Sequence, residues 1–122
     1  MTSVLIVDDR AEVIAVFKDF LGFEGYEVVG AAMKGEEAIA LYRQKRPDVV
    51  LMDILMPGMS GNETAREIIK IDPDARIIAV TAFGREGLQE ECADAGCIGF
   101  ISKPFEMNDL LDAIDAAISD VE

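Results

Sequence analysis

Acidic side chains end two of the apolar runs in this sequence. Residues 49–52 are uninterrupted apolar residues followed by Asp53, and residues 3–7 form a second such run followed by Asp8 and Asp9. Runs without polar alternation are typical of strands buried on both faces of a parallel sheet. A Pro-Gly pair soon after Asp53 cannot continue the strand, so this acid is expected at the strand's carboxyl end, where open α/β sheets bind ligands. On this run alone, the alternative that Asp53 only caps a loop stays open.

Two more predicted strands lead to a hydroxyl and to a cation. Residues 76–80 precede Thr81, and residues 98–102 precede Lys103. Because the carboxyl ends of parallel strands share one edge of a sheet, we expect both side chains beside the three carboxylates. Taken singly, each residue also has an ordinary interpretation: a helix cap for Asp8 or Asp9, a strand hydroxyl for Thr81 and a surface lysine for Lys103.

Three carboxylates within a few ångströms need positive charge nearby. At an effective dielectric near 20, two like charges about 4 Å apart repel by about 4 kcal/mol. Lys103 supplies one positive charge, and a hard divalent cation with oxygen ligands would supply the rest, with Mg²⁺ favoured. Carboxylates, Mg²⁺, a lysine and a hydroxyl are typical of phosphoryl transfer, in which an aspartate can itself be the nucleophile.

Amphipathic segments alternate with the apolar runs throughout the chain. Helical spacing of apolar residues predicts helices over residues 10–21, 35–45, 62–71 and 86–95 and a last helix opened by Asn108 or Asp109, with Asn62 as the cap of the third helix. The run at 26–32 is more polar and suits an edge strand. Strict alternation of this kind predicts a doubly wound α/β fold, with a five-stranded parallel sheet between five helices.

Composition narrows the class of protein. A chain of 122 residues suits one domain over residues 1–122, and a formal charge of −13 argues against direct nucleic-acid binding. The absence of histidine excludes histidine-based triads and a self-contained phosphohistidine step. No apolar run is long enough to span a membrane, so we expect a cytoplasmic protein with no membrane contact, in which Cys92 and Cys97 are buried thiols.

Four motifs carry a resemblance that extends over the whole chain. They are VLIVDD at 4–9, VVLMDILMPGMSG at 49–61, VTA at 80–82 and ISKPF at 101–105. In this order and spacing they resemble the receiver domains of two-component response regulators, of which the chemotaxis regulators are the single-domain form. The resemblance implies a flavodoxin-like sheet with strand order 2-1-3-4-5.

The resemblance also implies a role for each residue at the sheet edge. Asp53 would be the phosphoacceptor, and Mg²⁺ would be held by Asp9, Asp53 and the backbone carbonyl of Leu55, with Asp8 acting through water. Thr81 and Lys103 would each bond a phosphoryl oxygen.

Aromatic and apolar residues near the site are also informative within this resemblance. Phe100 stands where the family has its switch aromatic, which is expected to follow the movement of Thr81. Leu55 and Phe83 have apolar side chains where many relatives carry polar ones, and this leaves the rate of dephosphorylation open.

The function implied is that of a stand-alone signalling module, not of an enzyme beyond its own phosphorylation and dephosphorylation. A sensor histidine kinase or histidine phosphotransfer protein would donate the phosphoryl group, and an output protein would bind the face formed by the fourth helix, fifth strand and last helix. Residues 105–122 hold six acids and no Lys or Arg, so self-association on this face is disfavoured and we expect a monomer.

Several alternatives remain open from the sequence. Within the family these are a phosphorelay intermediate and an excised receiver of a larger regulator. A haloacid-dehalogenase-like phosphatase would need a second Asp where Leu55 stands. A flavodoxin-like carrier would need a phosphate-binding loop where the chain has Asp8 and Asp9.

Overall fold

Five parallel strands form one sheet in the computed structural model, which describes residues 1–82 and 85–119. The strand order is β2-β1-β3-β4-β5, which confirms the predicted doubly wound fold and places β2 at an edge. The strands are β1 (Ser3–Val7), β2 (Glu27–Ala32), β3 (Val49–Asp53), β4 (Ile77–Thr81) and β5 (Gly99–Ser102).

A helix follows each strand, and the helices cover both faces of the sheet. Helices α1 and α5 pack with one core, and α2, α3 and α4 pack with the other. Their bounds are α1 (Ala11–Phe23), α2 (Gly35–Lys45), α3 (Gly61–Ile71), α4 (Leu88–Asp94) and α5 (Met107–Ser119).

The two cores explain why the central strands lack polar alternation. Successive residues of β1 enter opposite cores: Leu5 packs on the α2–α3–α4 side, and Ile6 packs on the α1–α5 side. Every residue of β3 and β4 is buried. Both cysteines are buried in the core on the α2–α3–α4 side, as predicted.

The starts of four helices differ from the predicted ones. Helix α1 begins one residue later, at Ala11, because Arg10 is its N-cap and has an extended backbone. The N-cap of α3 is Ser60 and not Asn62, because Ser60 and Glu63 form a reciprocal capping box and Asn62 is buried in the first turn. Helix α4 begins at Leu88, after Gly87 in a left-handed conformation (φ +87°), and not at residue 86. Helix α5 begins at Met107, and the Asp109 carboxylate accepts a hydrogen bond from the Glu106 amide at 3.1 Å.

Within the described ranges, no helix is both long and apolar enough to cross a membrane. Phe83 and the last two acids of the chain, Asp120 and Glu122, lie outside the described residues.

Candidate functional site

The three acids predicted to converge do so at the carboxyl edge of the sheet. One carboxylate oxygen from each of Asp8, Asp9 and Asp53 lies within 4.8 Å of the other two. Asp8 and Asp53 are buried, with only 2% and 7% of their surfaces exposed, and Asp9 is partly buried. Ends of separate strands therefore build an acidic cluster from residues far apart in sequence.

Lys103 supplies a positive charge to this cluster. Its Nζ donates to Oδ2 of Asp8 at 3.2 Å, and Oδ1 of Asp8 accepts from the Arg10 amide at 2.9 Å. The Lys103 backbone is anchored to the neighbouring strand, because its N–H donates to the Thr81 carbonyl at 2.7 Å. In this structure, Lys103 thus neutralises Asp8, the acid expected to act through water, and forms no ion pair with Asp53 within the described residues.

The charge at Asp53 is only partly compensated. Burial, and after it the neighbouring charges of Asp8 and Asp9, raise the pKa of the Asp53 carboxyl to about 6 against the opposing effect of Lys103. Asp53 is therefore a carboxylate at neutral pH that has lost much of its hydration. Such a group is a candidate for a functional role.

The cluster fits a small divalent cation. One oxygen from each of the three carboxylates lies within 4.8 Å of the others, so the side chains can converge on one ion. The oxygens are hard ligands, and the uncompensated charge at Asp53 favours a cation. The amide of Gly61 donates to the carbonyl of Ile54 at 2.9 Å, one residue before Leu55. The carbonyl of Leu55 as a further ligand stays a prediction.

Thr81 is buried, and its hydroxyl has no hydrogen-bond partner among the residues that the structure describes. Among the described residues, only Oγ1 of Thr81 and Oδ1 of Asn62 are buried side-chain oxygens that lack a hydrogen bond. A buried polar atom without a partner costs about 1–3 kcal/mol. A hydroxyl in this state at the end of β4 is consistent with a partner that arrives from outside the chain, such as the predicted phosphoryl oxygen.

Gly61 brings α3 against the backbone that carries Asp53. A Cβ added at Gly61 would overlap the Asp53 carbonyl oxygen and lie 2.7 Å from Cα of Ile54. Only glycine permits this close approach, which fixes the chain immediately after the candidate phosphoacceptor. No sequence signal gives Gly61 this role, because glycine is common in any loop that follows a strand.

Phe100 lies on the same face of the sheet as Thr81, on the neighbouring strand. It pairs with Ala79, whereas Thr81 pairs with Ser102, and it packs at the border of the α2–α3–α4 core. Phe100 and Ser102 also line a cleft of about 630 Å³ against α4. Phe100 therefore shares a face of the sheet with Thr81, and its role as a switch aromatic stays a prediction.

Comparison with protein families gives one match over nearly the whole chain. Residues 4–115 match the model of the response regulator receiver domain. The chain is 44% identical to the chemotaxis protein CheY of Thermotoga maritima, over 92% of this chain and 93% of that protein. It is 40% identical to CheY of Bacillus subtilis, over 95% of this chain and 97% of that protein.

A longer relative and a solved structure widen the comparison. The transcriptional regulatory protein PdtaR of Mycobacterium tuberculosis is 41% identical over 95% of this chain, which spans 56% of that protein. CheY in the CheX–CheY–BeF₃–Mg²⁺ complex of Borrelia burgdorferi superposes with a TM-score of 0.92 at 32% identity, over 99% of this chain and 90% of that one.

Proposed function

Because this chain belongs to the response regulator receiver domain family, a family of signalling proteins that use Mg²⁺ at an acidic site, we propose that it accepts a phosphoryl group on Asp53. The donor is a partner histidine kinase or histidine phosphotransfer protein. One observation carries the proposal: a buried Asp53 carboxylate lies within 4.8 Å of the Asp8 and Asp9 carboxylates, at the edge where Lys103 supplies a cation.

Each residue of the cluster then has one task. Asp53, a carboxylate above a pKa of about 6, attacks phosphorus. Asp9, Asp53 and the Leu55 carbonyl would hold Mg²⁺, with Asp8 acting through water, and the bound metal would supply positive charge to the phosphoryl oxygens. Lys103 exchanges Asp8 for one phosphoryl oxygen, and the unpartnered Thr81 hydroxyl bonds another.

Replacing the nucleophile tests this assignment. Asp53→Asn should abolish phosphorylation by acetyl phosphate with Mg²⁺, because an amide does not attack phosphorus. Phosphate-affinity electrophoresis followed by peptide mass spectrometry would measure it. Asp19→Asn is a matched control, because Asp19 is an exposed acid on α1 and should label as the wild type does. Label that persists in Asp53→Asn would reject Asp53 as the acceptor.

The output of the switch is proposed to be the α4–β5–α5 face. Capture of a phosphoryl oxygen by Thr81 would leave space into which Phe100 turns, and this changes the cleft that Phe100 shares with α4. Within the described part of α5 the charged residues are all acidic, so a separate output protein with a basic or amphipathic segment fits this face better than a second copy does. Light scattering on the phosphorylated sample should therefore give a monomer, and a dimer persisting at low salt would contradict this.

Three settings remain for the module within a cytoplasmic pathway. The chain spans 93% and 97% of two chemotaxis CheY proteins, which supports a stand-alone regulator formed by residues 1–122. The longer PdtaR supports the alternative of a receiver within a larger regulator. A phosphorelay intermediate would be recognised by stoichiometric return of the label from Asp53 to a histidine phosphotransfer protein.

A further inference from the structure

Lys34 lies beside the acidic cluster in a position that no motif predicted. It is the exposed residue immediately before α2, and it lines a cavity of about 750 Å³ together with Asp9, Glu36, Pro57 and Gly58. Within residues 1–82 and 85–119, Lys34 forms no ion pair. A cation with no acidic partner therefore shares a solvent-filled space with one of the three site carboxylates.

Lysine at position 34 does not stabilise the start of α2. Lys34 is the N-cap of α2, where Ser, Thr, Asp or Asn would accept a hydrogen bond from the first turn, and its side chain makes no capping bond. Its charge also lies at the positive end of the helix dipole, which is unfavourable. The Oε1 of Glu37 accepts from the Met33 amide at 2.9 Å, one residue before the N-cap, so this bond does not replace the missing cap. Residues that break a local rule in this way are most often found at functional sites.

We propose that Lys34 selects and admits anionic small-molecule phosphodonors, a role that rests on the phosphoacceptor function proposed above. The chain carries a net charge of −13, and a dianionic acyl phosphate must approach three carboxylates. The positive charge of Lys34, which lines the same cavity as Asp9, offsets part of the repulsion between the donor and the carboxylates and raises the rate of productive encounter. Glu36 lines the same cavity and its negative charge opposes this attraction, so the attraction acts only on a donor that passes close to Lys34.

The transfer itself balances without a further reactant. An oxygen of the Asp53 carboxylate forms a bond to phosphorus, and the bond between phosphorus and the acetyl oxygen breaks. Its electron pair leaves with acetate. One carboxylate and one acyl phosphate dianion thus give an aspartyl phosphate dianion and acetate, and no proton is transferred.

The test compares Lys34→Ser with Lys45→Ser. Lys45 is an exposed lysine at the other end of α2, about 17 Å along the helix axis, and its removal changes the net charge equally. The rate of Asp53 labelling would be followed by quench and phosphate-affinity electrophoresis, with acetyl phosphate, a dianion, and phosphoramidate, a monoanion.

We expect Lys34→Ser to label roughly 3-fold to 10-fold more slowly with acetyl phosphate at 0.1 M salt, since a Debye length of about 10 Å still leaves this charge effective. The deficit should be smaller with phosphoramidate, should shrink toward none at 1 M salt and should be absent in Lys45→Ser. Lys34→Arg should restore the rate. The melting temperature of Lys34→Ser should rise by roughly 3–6 °C, because serine caps α2.

The opposite signs of these two effects separate donor selection from a structural role. A variant that labels slowly because its fold is damaged would melt lower, and this would overturn the inference. Equal labelling of Lys34→Ser and Lys45→Ser would also overturn it while leaving Asp53 as acceptor. Failure of the wild-type protein to label on Asp53 would instead reject the proposed function itself.

Discussion

The close approach of α3 to the end of β3, the strand that carries Asp53, predicts a large effect for Gly61→Ala. The added Cβ would overlap the Asp53 carbonyl oxygen and lie 2.7 Å from Cα of Ile54 and 2.9 Å from Cδ1 of Ile54. Two of these atoms belong to the backbone, so relief requires α3 to move away by roughly 1 Å. Overpacking of this kind costs about 1–3 kcal/mol, and here we expect the upper end because rotation of the Ile54 side chain cannot relieve the two backbone overlaps.

The second consequence of Gly61→Ala concerns the site. Moving α3 strains the Gly61 N–H bond to the Ile54 carbonyl, which is 2.9 Å long, and displaces the chain that follows Asp53. Labelling by acetyl phosphate should therefore slow even at temperatures at which the variant is fully folded. Urea unfolding followed by far-UV circular dichroism would give the stability, because the chain has no tryptophan for fluorescence.

Gly22→Ala is the matched control. Gly22 lies near the end of α1, and a Cβ there meets no atom within 4 Å. Alanine should raise stability by about 0.5–1 kcal/mol, since it is the better helix former, and should leave labelling unchanged. A Gly61→Ala protein that unfolds at the same urea concentration as the wild type and labels at the same rate would refute the prediction.

Two further predictions follow from buried side chains. In metal-free buffer, Asp53→Asn should gain about 2–3 kcal/mol in stability relative to the wild type as the pH rises from 4 to above 6. The Asp53 carboxyl has a pKa of about 6 in the folded wild type and 3.8 in the unfolded chain, so the folded state binds the proton more tightly. The stability of the wild type therefore falls as the pH rises over that range, whereas asparagine does not titrate. Parallel pH profiles from thermal melts would contradict this. At the opposite edge of the sheet, Tyr42→Phe should lower the free energy of unfolding by about 1–2 kcal/mol, because it removes the hydrogen bond from the Tyr42 hydroxyl to Oδ2 of Asp72 at 2.7 Å. Urea unfolding would measure this loss, and an unchanged urea midpoint would show that the bond contributes nothing to stability.

The sequence was sufficient for the fold and for the convergence of the acids. Strands buried on both faces have no polar alternation, and helices that pack on one face show apolar residues at helical spacing, so both signals are local. Parallel strands end at a common edge, and this rule alone brought Asp8, Asp9 and Asp53 together before any distance was known. Burial of both cysteines followed from composition in the same way.

Tertiary structure decided what depends on distances between segments. The partner of Lys103 is Asp8, and the raised pKa of Asp53 reflects burial and three neighbouring charges, none of which can be read from spacing along the chain. The cap of α3 was placed at Asn62 from residue type, but the choice of Ser60 depends on a reciprocal bond to Glu63 and on the burial of Asn62. The contacts of Gly61 and the proposed role of Lys34 depend on where α3 and the start of α2 lie relative to the site, because contact and electrostatic effects depend on separation in space and not in sequence.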